Sequence, residues 1–318
     1  MKNIKNLLIK ITPIVSFIIP IAILYHLEPA SFEKAWRGRI FLIFFIWTAL
    51  LEAILDWERL HVKFIARKSL KRAFLFFLFA LAPTIFVIFF NYYRYSDEII
   101  KIATENNVAE WIAKELPASL EFLFLTVLFC LTVLIAYGIE NLPVFSGSIF
   151  FLGIMGLLFT IDDLHPGGKF APLQMLVPVT AFFAASFLGV AGYKATLSEF
   201  NDPVFGLVSI LEVNGEQFKI GWLCAGVESL VIYTVVIFLF LKKSDIAAKR
   251  KLLYFILGAA VTYLINIMRI FTLVMIALSG NMKYFHDFHN FYGSFYSITW
   301  ITIYPVIIMG IENLLKIR

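Results

Sequence analysis

The chain has 318 residues, of which 61% are hydrophobic and 35 are phenylalanine, and its mean hydropathy is +0.86. Soluble domains are about 45–50% apolar, so this composition excludes an ordinary soluble protein and predicts an integral membrane protein with little soluble mass. The net charge is only +5. Because the basic residues cluster in particular loops, they indicate membrane topology rather than nucleic-acid binding.

Nine apolar runs follow one another along the chain. The first carries Lys2, Lys5 and Lys10 and ends near Leu27; it has no clear cleavage site and is predicted to be an uncleaved helix. The others lie at about 40–56, 73–93, 119–140, 144–160, 171–192, 222–241, 252–278 and 295–314. The run at 144–160 is short and rich in glycine, which is typical of a partial or re-entrant segment. The sequence therefore predicts an all-α polytopic membrane protein with a bundle of about eight (eight or nine) transmembrane helices.

The whole chain, 1–318, is predicted to form one integral membrane domain, with N-terminal spans in 1–170 and a motif-bearing half in 171–318. Lys and Arg mark cytoplasmic loops, and the two most basic loops contain Arg59, Lys63, Arg67, Lys68, Lys71 and Arg72, and Lys242, Lys243, Lys249, Arg250 and Lys251. The acidic loop at about 94–118 is predicted to be external. This topology places Cys224 and the loop before the last span near the external face of the plasma membrane.

Two β-prone runs, Val208–Val213 and Glu216–Ile220, flank Asn214-Gly215. An Asn-Gly pair between such runs is the strongest short signal for a β-hairpin. The sequence predicts a small external hairpin that leads into the Cys224 helix. Its use is left open between an edge for an extended peptide substrate and a compact connector.

Two cysteines are present, and they predict neither a disulfide framework nor a metal site. Cys130 lies inside an apolar run and is predicted to be an inert buried thiol. Cys224 is predicted to begin a long apolar helix, where the positive end of the helix dipole would lower the pKa of its thiol and favour the nucleophilic thiolate. The alternative is a packing cysteine.

Arg269 lies within an apolar span, where an arginine costs about 2.5–3.5 kcal/mol even on a mild insertion scale. A functional cation would stabilise a thiolate or an oxyanion, and Asn266, one turn earlier, could hold its guanidinium. The alternative is a structural ion pair with Glu228. His289, or His286 one turn away, could exchange a proton with the thiol; both histidines could instead belong to an interfacial aromatic belt.

Three short motifs in this order resemble those of the archaeosortase/exosortase family: Cys224-Ala-Gly226, Asn266-Ile-Met-Arg269 and His289-x-x-x-Gly293. The resemblance covers about residues 171–310. The family usually has Ser or Thr where this chain has Ala225, which indicates a divergent branch.

The resemblance implies a membrane cysteine transpeptidase with Cys224, Arg269 and His289 as its catalytic set and no cofactor. Its partners would be secreted precursors with a C-terminal motif, a transmembrane helix and a basic tail. Such an enzyme cuts the precursor outside the membrane and passes the new C-terminus to an acceptor, a membrane lipid among the candidates. The glycine four residues on favours His289 over His286.

The rival function is a transporter or channel, which would suit an intramembrane Arg269 and the pair Asp162-Asp163. That pair, followed by His165-Pro-Gly-Gly, is predicted to be a solvated turn. No inverted repeat or pair of broken helices supports a transporter. A transporter should tolerate Cys224→Ser and a thiol enzyme should not, whereas a structural or assembly factor would be unaffected by changes at any of the three residues.

Overall fold

The structure is a computed structural model that describes residues 2–33, 38–60, 62, 70–106, 108, 110–164, 174–202 and 206–317. The chain divides into two compact units, Met1–Asp163 and Leu164–Arg318. Each of the nine predicted apolar runs forms a helix, and the chain is a polytopic helical membrane protein.

All regular secondary structure in the described part of the first unit is helical. Its α-helices are α1 (Lys2–Leu27), α2 (Ile40–Leu55), α3 (Leu70–Val87), α4 (Tyr95–Glu105), α5 (Glu110–Ala113), α6 (Leu116–Tyr137) and α7 (Ser146–Leu164). A π-helical segment, Ile88–Tyr92, continues α3, and a 3-10 segment, Ile139–Phe145, precedes α7. The acidic region predicted as a loop thus contains α4 and α5.

A buried carboxylate caps the beginning of α7. Glu52 on α2 is 2% exposed and accepts hydrogen bonds from the backbone N–H groups of Gly147, at 2.7 Å, and Ser148, at 2.9 Å. First-turn N–H groups have no partner within their own helix, and the helix dipole favours a negative charge there. Glu52 therefore fixes where α7 begins.

The end of α7 is also held by a polar contact. Ser119 on α6 donates a hydrogen bond to Asp163, which is buried. Asp162 and Asp163 belong to the last turn of the helix, so the predicted solvated turn is wrong for them. The following Pro166-Gly167-Gly168 lies outside the described residues.

The one large polar network described in the first unit surrounds Arg39. Its guanidinium donates to both carboxylate oxygens of Glu121, at 3.0 and 2.8 Å. It also donates to Glu28 at 2.6 Å, Ser31 at 3.1 Å and Asn91 at 2.9 Å. A guanidinium has five N–H donors, and these five bonds give a buried cation the partners that it needs.

The second unit combines helices with one small sheet. Its elements are α8 (Leu176–Val190), β1 (Ala195–Asp202), β2 (Gly206–Val213), β3 (Glu216–Ile220), α9 (Val227–Lys243), α10 (Ala248–Leu278), α11 (Met282–Asp287) and α12 (Ser294–Ile317).

Six stretches of the described residues are helices long and apolar enough to cross a membrane: Lys10–Leu27, Phe74–Tyr92, Glu110–Tyr137, Ile139–Leu164, Ala248–Leu278 and Phe295–Leu315. The expected eight or nine spans are not reached by this measure. The run at 144–160 belongs to one of the six, because the 3-10 segment and α7 together extend it to 26 residues. Three of the nine runs are therefore not among the six: α2 and α8 are shorter apolar helices, and α9 has only 17 residues.

The predicted hairpin is confirmed. β2 and β3 are antiparallel and Val213 pairs with Glu216 across the turn. Asn214 and Gly215 both have positive φ, 54° and 86°, as a two-residue type I′ turn requires. The sequence did not predict β1, which pairs with β2 and makes a three-stranded sheet in the order β1-β2-β3.

Three helices of the second unit meet at Gly258 of α10. The hydroxyl of Tyr233 on α9 donates to the Phe255 carbonyl at 2.8 Å, and that of Tyr304 on α12 donates to the Tyr254 carbonyl at 2.6 Å. A Cβ at position 258 would lie 2.1 Å from the Tyr233 hydroxyl oxygen. The missing side chain at Gly258 thus allows both tyrosines to reach the helix backbone.

Candidate active site

The three residues predicted to carry the chemistry all belong to the second unit. Cys224 lies in a 3-10 turn, Trp222–Ala225, between β3 and α9. Arg269 lies on α10, and His289 lies in a π-helical segment, Phe288–Tyr292, between α11 and α12. The turn and the π-helical segment both form hydrogen bonds with α10. One helix therefore joins the two segments that carry the thiol and the imidazole.

Gly226 separates Cys224 from the α-helix that follows it. Gly226 has a φ of +84°, a left-handed conformation that glycine adopts without steric cost. The helix α9 begins only at Val227, so the prediction that Cys224 begins the helix is wrong. The thiol lies in the preceding turn, where the Cys224 N–H donates to the Gly221 carbonyl at 3.0 Å.

Cys224 is half-buried against a core cluster that includes Ile220 and Ile267, and it lies outside the six candidate spans. Burial raises the pKa of the Cys224 thiol above its ordinary value, although a backbone hydrogen bond with Gly221 and the charge of Arg269 lower it. The expected lowering of the pKa is therefore wrong, because burial outweighs the favourable charges. Such a thiol needs a base to become a nucleophile at neutral pH.

Asn266 contacts the backbone of the cysteine turn. Its side chain is 2% exposed, and its Nδ2 donates a hydrogen bond of 2.8 Å to the Cys224 carbonyl. A Cβ at position 226 would lie 2.9 Å from Asn266 Cγ, so the absence of a side chain at Gly226 leaves room for the Asn266 amide. The sequence predicted that Asn266 could hold the Arg269 guanidinium, and the structure gives it this different partner. No local pattern relates Asn266 to a residue 42 positions away.

Arg269 is half-buried and follows Asn266 by three residues, so both lie on one side of α10. Its Nη2 donates a hydrogen bond of 3.0 Å to the backbone carbonyl of His289. Its charge also interacts with Glu228 and with the Cys224 thiol. In place of the structural ion pair considered for Glu228, Arg269 thus forms a hydrogen bond with the histidine segment.

Gly293, the glycine of the third motif, packs against Arg269. A Cβ there would lie 2.6 Å from Arg269 Nε and 2.9 Å from the Phe288 carbonyl oxygen. Arg269 Nε is buried and has no hydrogen-bond partner among the residues that the structure describes. The Gly293 backbone thus lies against the Nε edge of the guanidinium. The Gly293 N–H donates a hydrogen bond of 2.7 Å to the Phe288 carbonyl, which closes the wide π-helical turn.

The two candidate histidines both lie close to the ring of Phe285. The Phe285 ring centroid is 5.6 Å from that of His286 and 6.2 Å from that of His289. Both imidazoles are exposed. Of the two, His289 is the one whose backbone is bound by Arg269, and it lies in a π-helical insertion, a feature frequent at functional sites.

An aromatic groove of about 800 Å³ begins beside the histidine segment. Phe288 and Tyr292 of that segment line one end, and the other end is formed by α12, where Ile303 and Ile307 contribute aliphatic side chains. The α12 stretch Phe295–Leu315 is one of the six candidate spans. The groove therefore extends from the histidine segment along a helix suited to the membrane.

Comparison with protein families shows what the chain is similar to. The model of a protein family described as transmembrane exosortase (Exosortase_EpsH) matches residues 36–304. No curated protein and no solved structure matches the chain. The matched range includes the cysteine turn, the α10 residues and the histidine segment.

Proposed function

Because the chain belongs to the transmembrane exosortase family, we propose that it is a membrane-embedded cysteine transpeptidase. Its substrates are exported proteins with a C-terminal sorting signal, made of a short motif, a transmembrane helix and a basic tail. The enzyme cleaves the precursor beside that helix and transfers the new C-terminus to an acceptor, a membrane lipid. The reaction takes place near the external face of the plasma membrane.

The observation that carries this proposal is the position of Arg269. Its guanidinium donates to the His289 carbonyl, and Asn266, three residues earlier on the same helix side, donates to the Cys224 carbonyl. One side of α10 thus supplies a permanent cation and binds both the turn that carries the thiol and the segment that carries the imidazole. An arginine that was only a structural counterion would have a carboxylate as its hydrogen-bond partner.

In the proposed mechanism, His289 removes the proton from Cys224 and the thiolate attacks the scissile carbonyl. The Cys224 N–H already donates to the Gly221 carbonyl, so the oxyanion needs a hydrogen-bond donor from elsewhere. The guanidinium of Arg269 is that donor. His289 then protonates the departing amine. The resulting thioester is resolved by an amine acceptor, which regenerates the thiol; attack by water would make the enzyme a protease.

Two further observations support the substrate and the location. The basic residues Lys242 and Lys243 end α9, opposite the end that follows Cys224, and under the positive-inside rule this supports an external position for the thiol. The aromatic groove beside His289 offers apolar surface for the membrane segment of a precursor.

The proposal is tested in cells with a candidate precursor that carries such a tail. Gel mobility and lipid labelling of the precursor are compared for the wild type and for Cys224→Ala, Arg269→Ala and His289→Ala, after each variant is shown to reach the membrane. All three variants should leave the precursor uncut, and lipid label on the wild-type product identifies transpeptidation. Normal processing by Cys224→Ala would contradict the proposal and favour the transporter class.

A further inference from the structure

The amide of Asn266 joins α10 to the turn that carries Cys224. Its Nδ2 lies 2.8 Å from the Cys224 carbonyl oxygen, and it packs against Gly226 so closely that a Cβ there would lie within 2.9 Å. We propose that Asn266 is the positioning residue of the nucleophile, and that Gly226 is required because it gives this amide access to the turn. The inference rests on the proposed role of Cys224.

Both backbone polar groups of Cys224 are held by hydrogen bonds. Its N–H donates to the Gly221 carbonyl and its C=O accepts from Asn266. With both peptide groups held, the direction of the Cα–Cβ bond is fixed, and only rotation about χ1 remains for the thiol. Gly221 acts within the turn itself, whereas Asn266 ties the turn to a different helix.

Asn266 and Arg269 are three residues apart, and residues at this spacing share one side of a helix. The same rigid element therefore binds the thiol-bearing turn through Asn266 and the His289 segment through Arg269. Loss of the amide would leave the cation in place and release only the nucleophile. A misplacement of about 1 Å is enough to reduce turnover about 100-fold.

A second buried polar residue of α10 distinguishes positioning from simple packing. Thr262, one turn earlier on α10, is also fully buried and accepts a hydrogen bond of 3.1 Å from Trp300 Nε1. It holds α10 to α12, and the cysteine turn is not among its hydrogen-bond partners. Thr262→Val is therefore a matched control, since it removes a buried interhelical hydrogen bond of the same helix.

The test uses the full-length protein in a Cys130→Ala background, so that Cys224 is the single thiol. The rate of iodoacetamide alkylation at neutral pH and the rate of precursor processing are measured for Asn266→Ala, Asn266→Asp and Thr262→Val. Asn266→Asp keeps the size of the side chain and removes the amide donor, so it reports on the hydrogen bond even where the alanine variant folds poorly.

Both Asn266 variants should react faster with iodoacetamide than the parent, because the released turn exposes the thiol, and should process the precursor about 100-fold more slowly. Thr262→Val should retain parental thiol reactivity. Parental alkylation and processing in Asn266→Asp would overturn the inference while leaving the proposed function intact. Normal processing by Cys224→Ala would instead remove the proposed function, and with it the role assigned to Asn266.

Discussion

Arg269 Nη2 lies 3.0 Å from the backbone carbonyl oxygen of His289 and donates a hydrogen bond to it. This bond fastens a π-helical segment to a membrane-spanning helix through a side chain that is costly to bury. The contact uses one of the five N–H groups of the guanidinium. Arg269 can therefore hold the histidine segment and still direct other donors towards charge that develops on a substrate.

Arg269→Lys should reduce precursor processing about 10²–10³-fold, the usual effect of losing one oxyanion donor. Lysine keeps the charge, but its ammonium is a single point on a flexible stem and lacks the planar fork of donors. Processing is measured in membranes after each variant has been normalised to its abundance. Wild-type processing by the lysine variant would show that a positive charge alone is sufficient at this position.

Gly293→Ala should inactivate the enzyme by displacing Arg269, since the added Cβ would lie 2.6 Å from Nε. Gly310→Ala on α12 is the control, because nothing lies within 4 Å of its added Cβ. The first variant should accumulate in the membrane and fail to process the precursor, whereas the second should retain activity. Equal activity of the two variants would show that Arg269 does not depend on the close approach of Gly293.

Much of the second unit could be predicted from its sequence. Apolar runs gave the helices, and the Asn214-Gly215 pair gave the hairpin with its turn, because positive φ at both positions is a local requirement. β1 was missed, since its sequence, Ala-Thr-Leu-Ser-Glu-Phe-Asn-Asp, has little β-prone content. Its strand form depends on pairing with β2, which is a tertiary effect.

Gly258→Ala should destabilise the second unit by about 1–3 kcal/mol, the usual cost of overpacking. The added Cβ would lie 2.1 Å from the hydroxyl oxygen of Tyr233 and 2.3 Å from Cε1 of Tyr304. Thermal unfolding of the purified protein in detergent measures the effect, with Gly310→Ala as the control. A melting temperature equal to that of the wild type would mean that the three helices adjust to the methyl group without cost.

Arg39→Met should cost about 3–5 kcal/mol, because it leaves the buried carboxylate of Glu121 without its partner. The double variant Arg39→Met/Glu121→Leu removes both charges, and should recover most of that loss. Unfolding of the two single variants and of the double variant gives the coupling between the residues. Additive losses would show that the two bonds between Arg39 and Glu121 contribute little to stability.

Cys224 should be alkylated more slowly at neutral pH than an exposed cysteine, and its rate should rise with pH only above the ordinary thiol range. Burial raises the pKa of this thiol and Arg269 lowers it, so Arg269→Gln should move the rise to still higher pH. Rates are measured over a pH series in a Cys130→Ala background. A profile displaced to lower pH in Arg269→Gln would contradict the assigned electrostatics.

The candidate site was only partly predictable from the sequence, because some of its contacts depend on tertiary packing. Cys224, Arg269 and His289 were predicted as the catalytic residues because their chemistry is unusual in apolar surroundings. Because Gly226 has a left-handed conformation, α9 begins at Val227 and not at Cys224 as predicted. Burial raises the pKa of Cys224, whereas the sequence predicted that it would be lowered. The partner of Asn266 depends on how α10 packs against the turn, which no local pattern encodes.

The most direct test of the account is to capture the covalent intermediate. Membranes containing the wild-type protein and a verified precursor are quenched in acid, and the peptide that contains Cys224 is analysed by mass spectrometry with and without hydroxylamine. The account predicts a precursor fragment joined to Cys224 through a hydroxylamine-sensitive thioester, which is absent from Cys224→Ala. A precursor processed at the wild-type rate by Cys224→Ala, with no adduct on Cys224 in the wild type, would contradict it.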